Sequence, residues 1–315
     1  MKKIKSINYH GFDKNNFFEG WYYKQVSLDE KNIISFIPGV SLNETESHSF
    51  IQVLMFDGDK KLSAYNIKYS LDDFKTNDNP FEVWIKDNYF SEKKMIINID
   101  NEDLKINGQI EFENLVSIKT SKVNPDIMGV FSYIPNMECN HGIISMNHYL
   151  LGQLNVNNET IDFDGGKGYI EKDWGTSFPK EYIWIQSNNF DNPSASIFCS
   201  VADVPFMGKS FHGFICNFVF DGNEYRFSTY NFSKFKMKNN ENLIELIFSS
   251  KDKIIYIEAK IIDYKKLLSP TNGKMSNTIK EGLSGTVRVI LKDKNNKVIF
   301  DSIGRCAGID SAMKN

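Results

Sequence analysis

The sequence predicts an all-β protein made of two tandem antiparallel β-barrels of the up-and-down kind. Three observations carry this reading. The 315 residues include 25 Phe and 14 Tyr but only 8 Pro, a composition suited to strands stiffened by aromatic side chains. Short β-rich runs follow one another at close spacing, broken by Asn, Asp, Gly and Lys clusters, which is the all-β signature. Finally, parts of the first half recur in the second.

Phe17–Ser27 reads as the first strand, with Gly20 and Trp21 near its start. Ile33–Ile37, Ser49–Phe56, Leu62–Tyr69, Glu82–Ile85, Met95–Ile99 and Gln109–Phe112 follow as strands. Asp57-Gly58 and Asn107-Gly108 are hairpin-turn dipeptides, favoured because such turns need positive φ. Gly142–Leu151, Gln153–Val156, Thr160–Phe163 and Gly168–Trp174 would complete the first barrel. Gly165-Gly-Lys-Gly168 reads as a tight hairpin, since it lacks the Walker spacing of a phosphate loop. Helices are scarce, and Lys265–Leu268 is at most a short turn of one.

The repeat is read from residue pairs. Phe50-Ile-Gln-Val-Leu-Met-Phe-Asp-Gly58 matches Phe214-Ile-Cys-Asn-Phe-Val-Phe-Asp-Gly222, and Leu62-Ser-Ala-Tyr-Asn-Ile67 matches Phe227-Ser-Thr-Tyr-Asn-Phe232. Trp21 would then superpose on Trp184, Tyr65 on Tyr230 and Gly108 on Gly285, with Leu268–Asn277 as an insertion in the second copy. The expected domains are residues 1–177 and 178–315.

Composition bounds function as well. With 37 Lys+Arg against 40 Asp+Glu, nothing draws the chain to nucleic acid. No run is long and apolar enough to span a bilayer, and the N-terminus lacks the apolar region of a signal peptide. A cytoplasmic location is therefore expected, with transient membrane contact left open. Cys139, Cys199, Cys216 and Cys306 show no C-x-x-C spacing and are expected to be free thiols. His141 and His148 would face opposite ways in one strand, which argues against a shared metal, and no metal or cofactor is expected.

The stretch Gly168–Phe190 breaks the patterns of ordinary strands. Tyr169, Glu171 and Asp173 alternate with Ile170, Lys172 and Trp174, so neither face is cleanly apolar. Beyond Pro179, Tyr182, Trp184, Gln186, Asn188 and Phe190 are expected to share one face opposite Ile183 and Ile185, offering rings and amides to an apolar ligand with polar handles. Glu171 and Asp173 are the candidate general acids, because a carboxyl in an apolar pocket has its pKa raised. Glu19, Trp21, Tyr23, His48, Trp174, Trp184, Gln186, Asn188 and Phe190 are the candidate ligand-binding residues. Trp21, Trp174 and Trp184 would supply aromatic faces, which attract positive charge where water is excluded.

Phe18-Glu-Gly-Trp-Tyr-Tyr23 and the stretch Gly168–Phe190 resemble the two signature stretches of the tocopherol cyclase-like family. His48-Ser-Phe-Ile-Gln52 and His141-Gly-Ile-Ile-Ser-Met146 resemble further family segments in the same order. The resemblance implies a pair of lipocalin-like barrels. For plant members it implies closure of a chromanol ring, by adding a phenol hydroxyl across the nearest double bond of a prenyl tail. More distantly, the architecture is similar to that of carotenoid hydratases, which also begin by protonating an isoprenoid alkene. Two functions follow as expectations: an enzyme that protonates the alkene of a prenylated phenol, quinol or other isoprenoid through Asp173, or a non-catalytic carrier of a lipophilic molecule. The sequence leaves the oligomeric state open.

Overall fold

The computed structural model describes residues 5–58, 61–135, 137–206, 209–240 and 242–313, without the side chains of 205, 206 and 209. Twenty-two strands and three single 3-10 turns make up its regular structure. The first twelve strands are β1 (Phe17–Val26), β2 (Ile33–Leu42), β3 (His48–Phe56), β4 (Leu62–Tyr69), β5 (Phe74–Asp78), β6 (Phe81–Ile85), β7 (Asn88–Ser91), β8 (Lys94–Asp100), β9 (Lys105–Glu113), β10 (Cys139–Val156), β11 (Glu159–Asp162) and β12 (Lys167–Gly175). The rest are β13 (Tyr182–Ser187), β14 (Ser196–Phe206), β15 (Lys209–Phe220), β16 (Asn223–Ser228), β17 (Lys234–Asn240), β18 (Leu243–Ser249), β19 (Lys253–Lys260), β20 (Lys265–Thr271), β21 (Lys274–Asp293) and β22 (Val298–Ser311).

These strands form two antiparallel sheets. The first runs β4-β3-β2-β1-β12-β10-β9-β8-β7-β6-β5, with β11 beside β10, and the second runs β16-β15-β14-β13-β22-β21-β19-β18-β17, with β20 beside β21. The chain divides into two compact units, one of residues 1–121, 134–178 and 267–278, the other of 122–133, 179–266 and 279–315.

Each sheet curls around its own core. Trp21 on β1 and Phe81 on β6 are six steps apart along the ladder, which in a flat sheet would separate them by roughly 29 Å at ~4.8 Å per strand. Their rings lie 5.8 Å apart. In the second sheet Phe214 on β15 and Phe248 on β18 are also six steps apart, yet their rings lie at 5.3 Å. The first core gathers Trp21, Tyr23, Phe36, Ile51, Phe90 and Ile170; the second gathers Ile183, Ile185, Phe214, Phe218, Phe248 and Phe300. Among the described residues the ladders run from edge to edge.

Three sequence expectations are corrected. Lys265–Leu268 is not helical: it begins β20, which pairs with the start of β21 in a hairpin turning at Asn272-Gly273. Asn107-Gly108 lies inside β9 rather than at a turn. There a Cβ on residue 108 would meet the Gln153 carbonyl at 2.4 Å, so close approach of β10 requires glycine. The residue pairs of the repeat also fall out of register, although β1 and β13 occupy matching places in the two strand orders. Trp21 enters the first core, whereas Trp184 lies on the face of β13 opposite Ile183 and Ile185. Tyr65 sits within β4 but Tyr230 in the 3-10 turn after β16. Gly108 sits on β9 and Gly285 on β21, although the strand order matches β9 with β19. A slip of one residue reverses every side chain's face, so similar local sequence does not fix equivalent positions.

Candidate active site

β12 is the middle strand of the site, flanked by β1 and β10. Alternation splits its polar residues between two faces. Ile170 and Trp174 join the core, and Lys172 points the same way. Tyr169, Glu171 and Asp173 occupy the other face.

On the core side Lys172 and Glu19, both fully buried, form an ion pair. The ammonium also donates to the Asn8 carbonyl and lies 3.0 Å from His10 Nδ1. It stands 4.7 Å above the Trp21 ring and 5.0 Å from that of Trp174, a desolvated cation–π arrangement. Both Glu19 oxygens accept the His10 backbone N–H, at 3.0 and 2.9 Å. The His10 ring stacks on Trp174 at 4.4 Å, and Trp21 Nε1 donates to the Ile7 carbonyl at 2.7 Å. Burial lowers the Lys172 pKa to about 8, with Glu19 opposing the shift, so the ammonium keeps its charge at neutral pH. Burial likewise holds the His10 imidazole below its ordinary pKa. Glu19 thus balances a buried cation on the core side of β12. The cluster anchors residues 7–10 against the first core.

On the opposite face, β10 places His141 directly across from Asp173 and Ile143 across from Glu171. His141 Nδ1 lies 2.8 Å from Asp173 Oδ1, and its Nε2 lies 3.4 Å from Glu171 Oε2. The Tyr169 hydroxyl donates to Glu171. Burial and the Glu171 charge hold the Tyr169 phenol well above its ordinary pKa, so it stays protonated. Two hydrogen-bonded pairs therefore stand side by side, Tyr169 with Glu171 and His141 with Asp173, separated by the 3.4 Å between His141 Nε2 and Glu171 Oε2. They reach from a fully buried phenol to a carboxylate whose side chain is 28% exposed. Carboxylates and an imidazole gathered in this way are suited to general acid–base chemistry. His141, Glu171 and Asp173 also offer one ligand atom each within 4.8 Å of one another, a spacing that could hold a metal ion.

The other expected residues are dispersed. Tyr23 is a core residue, packed on Phe90 and Phe112 with its hydroxyl donating to the Ser91 carbonyl. His48 is half-buried at the start of β3, its Nδ1 3.3 Å from the Glu46 carbonyl oxygen. Trp21 and Trp174 face Lys172, across β12 from Asp173, and not a cation on the Asp173 side. Tyr182, Trp184 and Gln186 share the non-core face of β13, and Gln186 Nε2 donates to Asn188 Oδ1 at 3.4 Å. Phe190 departs from that face and packs in the second core on Phe218 and Phe300. β13 ends at Ser187, so strict alternation no longer governs residue 190.

Sequence reasoning passed over His10 and the role of Lys172. Only the alternation along β12 hinted that Lys172 lies opposite the candidate acids; its partners come from residues 7–19, distant in sequence.

Comparison with known proteins places these features in context. A model of the tocopherol cyclase-like family matches residues 109–311. A probable chloroplastic tocopherol cyclase of Oryza sativa subsp. japonica is 31% identical over 51 residues, which span 16% of this chain and 11% of that protein. Among solved structures, an AttH-type protein from Nitrosomonas europaea has a TM-score of 0.62 at 12% identity, covering 100% of this chain and 97% of the other. CghA with Sch210972 has a TM-score of 0.60 at 8% identity, covering 94% and 88%. Kievitone hydratase from Nectria haematococca has a TM-score of 0.53 at 10% identity, covering 97% and 94%. At such identities these likenesses establish the fold. No helix among the described residues is long and apolar enough to cross a membrane.

Proposed function

The chain belongs to the tocopherol cyclase-like family, and from that premise we propose that it closes a ring on a prenylated phenol, quinol or related isoprenoid by protonating an alkene. Its sheets would be closed lipocalin-like barrels forming domains close to 1–177 and 178–315. The observation that supports the reading is the imidazole of His141 set between Asp173 and Glu171, with Tyr169 behind them.

In this reading Asp173, the most accessible member, delivers its proton to the less substituted alkene carbon. The tertiary carbocation is captured by the phenol oxygen, whose proton passes to the carboxylate. One C–H and one C–O bond form, the alkene π bond and the O–H bond break, and the reaction is an isomerisation needing no co-reactant. His141 holds Asp173 in place through Nδ1 and stands 3.4 Å from Glu171 through Nε2, so the returning proton finds acceptors on both sides of the imidazole. Tyr22, directly across β1 from Glu171, replaces Trp21 and Trp174 as the aromatic neighbour of the developing charge.

The test is turnover of a prenylated hydroquinone to its chromanol, an isomer of equal mass, by wild type and Asp173→Asn. Loss of product with retained binding supports the enzyme. Binding without turnover in the wild type favours the carrier.

A further inference from the structure

We infer that Asp310, with Tyr182, Trp184 and Gln186, forms a second polar anchor, one that donates a hydrogen bond to the carbonyl oxygen of a neutral, planar ligand such as a quinone. This goes beyond the acid cluster of β10 and β12 and does not depend on Asp173 acting as an acid.

Asp310 on β22 stands directly across from Trp184 on β13 and from Glu281 on β21. Since Ile183 and Ile185 enter the core, Tyr182, Trp184 and Gln186 share the opposite face of β13 with it. Asp310 is 4% exposed. The Tyr182 hydroxyl donates to its Oδ2, while Oδ1 is buried and has no hydrogen-bond partner. A buried carboxylate oxygen without a donor is costly. The neutral acid removes that cost: Oδ2 accepts from Tyr182, and a proton on Oδ1 makes it a donor without a protein acceptor. Burial pushes the Asp310 pKa up to about 7, with Tyr182 and the Ser311 amide pulling the other way.

The neighbours define the ligand. An O–H donor calls for an oxygen acceptor, the Trp184 indole offers an apolar flank, and Gln186 adds an amide. Glu281 across the strand disfavours an anionic group. A neutral quinone carbonyl meets all four conditions.

Among the described residues, the titratable groups facing Asp310 from its two flanking strands are Tyr182 on β13 and Glu281 on β21. The experiment is calorimetric titration of the full chain with 2-methyl-1,4-naphthoquinone at pH 6 and pH 8. Wild-type affinity should fall by about tenfold between these values, following the loss of one proton from a group titrating near 7. Asp310→Asn, which keeps an N–H donor, should bind with no such pH dependence, and Glu281→Gln should keep the wild-type dependence. Asp310→Leu should bind weakly at both values. The inference is overturned if the wild type does not bind the quinone or binds it equally at both pH values. It is equally overturned if the dependence persists in Asp310→Asn or disappears in Glu281→Gln. The wild-type profile decides even if a variant fails to fold.

Discussion

The Lys172 ammonium lies 4.7 Å above the Trp21 ring with the Glu19 carboxylate as its ion partner, so a full charge pair stands inside an aromatic core. Removing one member leaves the other buried and uncompensated. Lys172→Met should therefore destabilise the protein by about 3–5 kcal/mol. The double variant Glu19→Leu, Lys172→Met should recover most of that loss. Chemical denaturation of the four proteins of this cycle measures the coupling, and additive losses would disprove a buried pair.

Asp173→Asn keeps the shape beside His141 but removes the proton that the proposed step transfers. Turnover of a prenylated hydroquinone should fall by about 10²–10⁴-fold, with ligand affinity preserved. His141→Asn should lower turnover as well. Full activity in both variants would move the acid elsewhere.

His148 provides an acid-sensitive element. It is buried on the core side beside Phe112, and burial lowers its pKa to about 3. Because the folded value lies below the unfolded one, stability is fully present above about 6.5 and drains away as pH falls toward 3. The slope is about 1.4 kcal/mol per pH unit. Compared with wild type, His148→Gln should show a shallower loss of stability between pH 6 and pH 4.

Asp310 has the opposite sign. Its folded pKa, about 7, lies above its unfolded value, so its contribution is complete below about pH 4 and is lost as pH rises through 7. Asp310→Asn should gain on the wild type by about 1.4 kcal/mol per pH unit across that window. Urea midpoints at pH 4 and pH 7 for both proteins measure the difference.

Gly273 turns the β20–β21 hairpin at φ 76°, and a Cβ there would meet the Phe17 nitrogen at 2.3 Å and the Leu42 carbonyl at 2.4 Å. Backbone neighbours cannot yield cheaply. Gly273→Ala should cost about 1–3 kcal/mol, whereas Gly222→Ala, at a similar φ but with nothing within 4 Å, should cost less. Thermal unfolding of the two variants separates strain from collision.

Strand positions were legible because Phe, Tyr, Ile and Val runs alternate with turn residues, and the paired faces of β12 followed from simple alternation. Glu171 and Asp173 do share one face, as their spacing requires. Their partner was not legible: His141 reaches Asp173 through the pairing of β10 with β12, across 32 residues. Two irregularities in that ladder, between Ile143 and His148, reverse the alternation and then restore it, so His141 and His148 lie on opposite faces as simple counting expects. The burial of Glu19 was hidden for the same reason, since the cation that neutralises it comes from β12. Phe190 misled because periodicity was carried past the point where β13 ends.

The segments at 122–133 and 267–278 each belong to the unit formed mainly by the other half of the chain. The Ile127 carbonyl accepts the Tyr230 hydroxyl at 2.8 Å, and the Gly273 carbonyl accepts the Ser41 hydroxyl at 2.7 Å. A gene broken near codon 178 would encode two pieces, each deprived of a segment that finishes its fold and each carrying one that belongs to the other. The halves are accordingly poor cassettes for domain shuffling, and heredity must transmit them as a single indivisible cargo.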